Sequence, residues 1–134
     1  MEVEIKTISI RTDSNRQVVD VTPEVRRFVK EVNVKTGLTL IWVPHTTAAI
    51  VINEHDRRLW EDLLAKLEEL VPARGKYNHD GEENAHAHIV NALLGHGVCI
   101  AIDNGELSLG TWQSILFVEM DGPRERSMIM RVYH

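Results

Sequence analysis

Apolar and charged residues alternate from the start of the chain: Val3, Ile5 and Thr7 stand against Glu2, Glu4 and Lys6. A period of two is the mark of a half-buried strand. The phase then inverts, because Ile8 and Ile10 fall on the side of the charges. That inversion predicts either a bulge or a strand end covered on both faces. Thr12-Asp13-Ser14-Asn15 is a turn, and Arg16 to Val21 reads as the returning strand of a hairpin. Thr22-Pro23-Glu24 then offers a capping hydroxyl and a proline suited to the first helical position. Val25, Phe28, Val29 and Val32 follow at helical spacing. After Gly37, Leu38 to Val43 is a short apolar run, predicted to be a buried strand that Pro44 ends.

Ile50-Val51-Ile52 continues as a strand. Asn53 is placed to cap the next helix, with Glu54 and Asp56 in its first turn, where the helix dipole favours negative charge. Leu59, Leu63, Leu64, Leu67 and Leu70 form its apolar stripe, and Trp60 packs in the core or at an interface. Ala73 to Glu83 is a polar loop with two glycines, of a length that is often functional in a compact domain. Asn84 caps a third helix, which runs through Leu94 and stops at Gly95. Val98 to Ile102 is a strand, and Asn104-Gly105 after it is a strong hairpin signal. Ser114 to Met120 is another strand, whose alternation puts Gln113, Ile115, Phe117 and Glu119 on one face. Asp121-Gly122-Pro123 turns the chain into the last strand, Ser127 to Tyr133.

The length, 134 residues, fits one domain spanning 1–134. A net charge of -5 without a basic run argues against a nucleic-acid binder, whose affinity rests on many phosphate contacts. It leaves room for a small phosphorylated ligand held by one or two arginines. No apolar run approaches the roughly 20 residues that span a bilayer, so no membrane partner is expected. The charged, alternating N-terminus is not a signal peptide, and a single cysteine makes no intrachain disulfide. Both point to a reducing, cytoplasmic setting. Cys99 lies within Val98-Cys99-Ile100-Ala101-Ile102 and reads as core filler.

The chemistry concentrates between Tyr77 and His88, where three of the seven histidines, His79, His86 and His88, fall within ten residues. Histidine is the commonest metal ligand and the usual proton carrier near neutral pH. Upstream, His45 in Pro44-His45-Thr46-Thr47 sits at a strand end, where loops carry function on a rigid scaffold. If the fold returns His45 to the cluster, a divalent-metal site results; otherwise the cluster is a solvated loop and an ordinary helix start. On a helix, His86 and His88 point to nearly opposite sides. Asn84, His88 and Asn91 share a face, while His86 points to solvent or to a neighbouring subunit. Arg124 and Arg126 alternate on one side of an extended segment. They either grip a phosphate with paired guanidinium forks or pair with nearby acids. Glu119 reads as a general base, a partner orienting a histidine, or a plain carboxylate.

Several segments together resemble the YjbQ-like proteins, a family also labelled secondary thiamine-phosphate synthases. They are Pro44-His45-Thr46-Thr47-Ala48-Ala49, Asn53-Glu54, Tyr77 with His79, Asn84, Ala87-His88, Gly95, Gly105-Glu106-Leu107, Leu109-Gly110-Thr111-Trp112-Gln113, and 119–126 from Glu119 to Arg126. The resemblance implies an α+β fold with a large, mainly antiparallel sheet and two to three helices packed on it. It implies a homotrimer with sites near subunit boundaries. It also implies a metal held by His45, His79 and His88, most naturally zinc, with magnesium as the alternative. The implied reaction joins a pyrimidine diphosphate to a thiazole phosphate and releases pyrophosphate. Thr46, Thr47, Thr111, Gln113, Arg124 and Arg126 would then bind phosphate oxygens, with Glu119 and His88 as catalytic groups. Two other readings compete: a non-catalytic, metal-stabilised trimer that binds a phosphorylated metabolite, and a metal-dependent hydrolase.

Overall fold

The computed structural model describes residues 1–79, 81 and 83–134. Asp80 and Glu82, which fall within the predicted polar loop, lie outside the described residues. Among the described residues, eight strands and three helices follow one another as β1 (Val3–Arg11), β2 (Gln17–Asp20), α1 (Thr22–Val32), β3 (Gly37–Trp42), β4 (Ala48–Asn53), α2 (Arg57–Leu70), α3 (Ala85–Leu94), β5 (Gly97–Asp103), β6 (Glu106–Leu107), β7 (Ser114–Glu119) and β8 (Glu125–Tyr133). They build two sheets, β1-β8-β3-β5-β6 and β2-β7-β4, in which every pairing is antiparallel. The fold is α+β, as the resemblance implies, with the expected large sheet divided in two. Among the described residues, no helix is long and apolar enough to cross a membrane.

The two sheets enclose the main core. Ile41, Ile102, Met128, Met130 and Val132 from the larger sheet meet Ile50, Ile115 and Phe117 from the smaller one, with Val25, Phe28 and Val29 of α1 in the same cluster. The other face of the small sheet carries Ala49, Val118 and Met120, which pack against Leu67 and Val71 at the end of α2 and Ala87 and Val90 of α3. Strand β7 is therefore covered on both faces, and its alternation divides residues between two clusters. This explains why 115–120 are all buried.

Strand β1 contains no bulge. Its register against β8 is unbroken from Val3↔Tyr133 to Arg11↔Glu125. Glu4, Lys6, Ile8 and Ile10 all turn toward α1 and the core, whereas Val3 and Ile5 are 41% and 58% exposed on the outer face. The inward position wins for the charges because they lie past the edge of the core and find partners there. Lys6 reaches Glu31 of α1 at 3.0 Å, and Glu4 reaches the His134 ring at 3.1 Å. The predicted hairpin of β1 with β2 does not form: β1 pairs with β8, β2 with β7. A strand pattern identifies a strand but not its neighbour.

The helix starts also shift. Asp56, not Asn53, caps α2, accepting from the N–H groups of Arg58 and Leu59, and Asn53 ends β4. Thr22 lies inside α1, where its hydroxyl accepts from Ile115 N at 2.8 Å. Leu70 ends the α2 stripe 69% exposed. Cys99 is exposed on the outer face of β5, not buried, because its neighbours Ile100 and Ile102 take the inward positions. The β5–β6 hairpin forms as read: Asn104 and Gly105 both have positive φ, 52° and 80°, as a two-residue turn requires. At Gly97 the chains approach closely, since a Cβ there would lie 2.7 Å from both Ile41 O and Trp42 Cβ.

Candidate functional site

Two polar features meet where the loop after β3, the N-terminal half of α3 and the β7–β8 turn come together. The first is a buried network. Glu119, at the end of β7, has no exposed surface. Its carboxylate accepts from Thr12 Oγ1 at 2.8 Å, Arg126 Nε at 2.9 Å, Arg126 Nη2, and the N–H groups of Met120 and Asp121. Burial pushes its pKa up, but the hydrogen bonds from Arg126 and Thr12 outweigh that and hold the carboxyl below its ordinary range. Arg126 also donates to Thr47 Oγ1 at 2.9 Å. Next to it, Ser127 N donates to His45 Nε2 at 2.9 Å. Burial, and then the Arg126 charge, lower the His45 pKa, so the ring is held neutral with its proton on Nδ1.

The second feature is a pocket of about 960 Å³ between residues 73–77, the start of α3 and the β1–β2 turn. Arg74 and Lys76 stand at its exposed lip, with His79, His86 and Asp121 in its wall. The His79 and His88 rings lie beside each other, centroids 4.7 Å apart. Asn91, one turn beyond His88, donates to Ala48 O at 2.6 Å and to His45 O at 3.2 Å, tying α3 to the His45 loop. The predicted face shared by Asn84, His88 and Asn91 is therefore directed at chemistry-bearing neighbours: Asn84 Nδ2 donates to Asp121 at 3.0 Å.

Several predicted roles change with this geometry. Glu119 is saturated by donors and sealed from solvent, so it organises the network and has no lone pair free to take a substrate proton. Arg126 is 5% exposed, and its Nε and Nη2 are committed to Glu119 and Thr47 inside the protein. Arg124 is half exposed and bonds Asp121 through both its carbonyl and its carboxylate. Both arginines thus pair with acids. Thr46 is exposed beside His45. Thr111 and Gln113 precede β7, at the opposite end from Glu119, about 20 Å away at roughly 3.3 Å per residue. Gln113 braces its own loop by accepting from Gly110 N at 2.7 Å.

The histidine trio is only partly assembled. Among the described residues, the ligand atoms of His45, His79 and His88 do not all come within 4.8 Å of one another; Glu2, Glu4 and His134 do. His45 also fits a metal poorly in this arrangement. Its Nε2 lone pair already faces Ser127 N–H, and a metal on Nδ1 would put a proton on Nε2 against that donor. His79 and His88 carry no such conflict and fit a metal as a pair. His86 is buried, not exposed, at 4% of its surface, and neither ring nitrogen has a partner among the described residues. Burial and the nearby Arg16 charge lower its pKa. The sequence marked the 73–83 loop for function but could not single out Arg74, Lys76 or Asp121, which are ordinary surface residue types until the pocket forms around them.

The scan against family models matches residues 6–134 to "UPF0047 protein YjbQ-like". A UPF0047 protein of Archaeoglobus fulgidus is 44% identical over 125 residues, covering 92% of this chain and 97% of that one. The UPF0047 protein YugU of Bacillus subtilis is 37% identical, covering 96% and 98%. Among solved structures, a YbjQ-like protein of unknown function from Sulfolobus solfataricus superposes with a TM-score of 0.95 at 39% identity, over 98% of this chain and 96% of that one. A hypothetical protein from Aeropyrum pernix gives 0.93 at 44% identity, over 95% and 96%. With identity of this level along almost its full length, and the same fold, the chain belongs to the UPF0047, YjbQ-like family.

Proposed function

We propose that the protein binds a divalent metal and a small phosphorylated molecule at the pocket beside α3, and that it acts there as a transferase of the thiamine-phosphate synthase type. The single observation that carries the reading is the His79–His88 pair, rings 4.7 Å apart, at the side of a pocket of about 960 Å³ with Arg74 and Lys76 at its lip. Imidazole pairs favour zinc or a neighbouring transition metal over magnesium. His79 and His88 would hold the ion, with further ligands drawn from outside this pair. When bound, such an ion supplies charge neutralisation for a departing pyrophosphate. The two cations at the lip draw an anionic ligand inward, and the pocket volume suits a metabolite-sized molecule. His45 in this reading is a neutral group set by Ser127, oriented toward the site as a hydrogen-bond donor through Nδ1.

A homotrimer is part of the proposal. The outer face of the larger sheet leaves Val3, Ile5 and Leu38 between 41% and 58% exposed, next to Trp42 stacked under Arg131. Such a face favours burial against further copies. Subunit packing would also allow Thr111 and Gln113 of one chain to approach the pocket of another, which their place at the far end of β7 denies them within one chain.

His88→Ala tests the reading. It should weaken zinc binding at least tenfold and abolish thiamine phosphate formation from the pyrimidine diphosphate and thiazole phosphate, with assembly intact. Loss of assembly from a protein that never turned over would favour the purely structural role. Unchanged zinc content and unchanged ligand binding would remove the site assignment.

A further inference from the structure

Among the described residues, the start of α3 carries buried polar atoms without hydrogen-bond partners. The helix has ten residues; the N–H groups of Ala87 and His88 donate to Asn84 O at 3.0 and 3.4 Å, and those of Ala85 and His86 have no intrahelical acceptor. Its N-cap residue, Asn84, does not cap it through its side chain, which donates to Asp121 and leaves its own oxygen buried without a partner among the described residues. No acidic side chain lies in the first turn. Two residues on, His86 is only 4% exposed, and both its ring nitrogens are unpartnered among the described residues. Ala85 and His86 both line the pocket, whose lip carries Arg74 and Lys76. Two described acids line the pocket, Glu83 and Asp121, and Asp121 is already engaged by Asn84 and Arg124 at 3.0 Å each.

A helix start without a side-chain cap, a buried imidazole and two cations, the last three groups unpartnered among the described residues, share one ligand chemistry: a compact anion rich in oxygen acceptors. We propose that the anionic end of the ligand, a phosphate or pyrophosphate group, seats on the N-terminus of α3, held by the Ala85 and His86 backbone N–H groups and by the His86 ring. Arg74 and Lys76 close over it from the lip. This rests on the reading of the pocket as a phosphoryl-ligand site and deepens it. It moves the anion seat from the arginines of the β7–β8 turn to α3, and it gives His86 a binding role that the 119–126 segment was expected to fill. A buried imidazole left unpaired is costly, whereas one donating to a phosphate oxygen gains a charge-assisted hydrogen bond.

The test is an NMR titration of the intact protein, labelled with 15N including the histidine rings, run with and without one equivalent of zinc. Inorganic pyrophosphate and phenyl phosphate are the two probes. The expected result is a shift of the Ala85 and His86 amides and of the His86 ring nitrogens at saturating probe, with His86→Leu weakening binding tenfold or more and His86→Gln recovering part of the loss. Tighter binding of phenyl phosphate assigns the seat to an organic phosphate; tighter binding of pyrophosphate assigns it to the inorganic anion. Binding that leaves these amides and ring nitrogens unmoved overturns the α3 seat while sparing the pocket reading. No binding of either probe, with or without zinc, overturns both. Because the wild-type shifts decide the matter, a His86→Leu protein that fails to fold does not.

Discussion

Replacing Arg126 by methionine isolates the buried pair that holds the site loops together. The change keeps the apolar stem and removes the guanidinium, which makes two bonds to Glu119 and one to Thr47 Oγ1. Glu119 then remains fully buried, charged and without its counter-ion. Losing one partner of a buried pair typically costs about 3–5 kcal/mol. Three donors stay in place, the Thr12 hydroxyl at 2.8 Å and the N–H groups of Met120 and Asp121 at 3.1 and 3.2 Å. They set the expectation at the low end, about 3 kcal/mol, a large share of the ~5–15 kcal/mol that stabilises a domain. For a chain of this length that corresponds to a Tm lower by about 10 °C. Urea unfolding followed by circular dichroism at neutral pH reads the loss directly. Glu119→Gln in the same background should recover ~1 kcal/mol or more, because the amide no longer buries a bare charge. If Arg126→Met costs less than about 1 kcal/mol, or the two changes simply add, the pair is not the hub argued above.

Acid should expose the same network. The folded Glu119 carboxyl titrates below its ordinary value, so the stability it contributes is fully present above that value and is lost as pH falls through the lower, folded one. Wild-type unfolding free energy should therefore drop more steeply below about pH 4.5 than that of Glu119→Gln, and superimposable acid profiles would contradict this. On the outer sheet face, Ile5→Glu combined with Leu38→Glu should convert the proposed trimer to a monomer by light scattering without loss of helical signal. A wild-type monomer, or a double variant that still assembles, would remove that face from the interface.

The sequence by itself determined the kinds of element and their order. Periods of two and of about 3.6 arise among adjacent residues, so β1, α1, β3, α2, α3 and β5 were legible, as was the Asn104-Gly105 hairpin, whose two positive φ values need only those two residues. The motif from His45 to Arg126 likewise marked the family and drew attention to His79 and His88. What the tertiary structure decided was which face and which donors remain free. Glu119 reads as a strand-end carboxylate until Thr12, 107 residues away, and Arg126 close around it. Val3 reads as inward until Lys6 finds Glu31 and Glu4 finds His134 at the edge of the core. His86 reads as exposed from its helical phase, yet the 73–77 loop and the β1–β2 turn fold over that side. A polar group's availability depends on partners supplied by distant segments. Local pattern carries no information about those partners, and close packing settles them all at once.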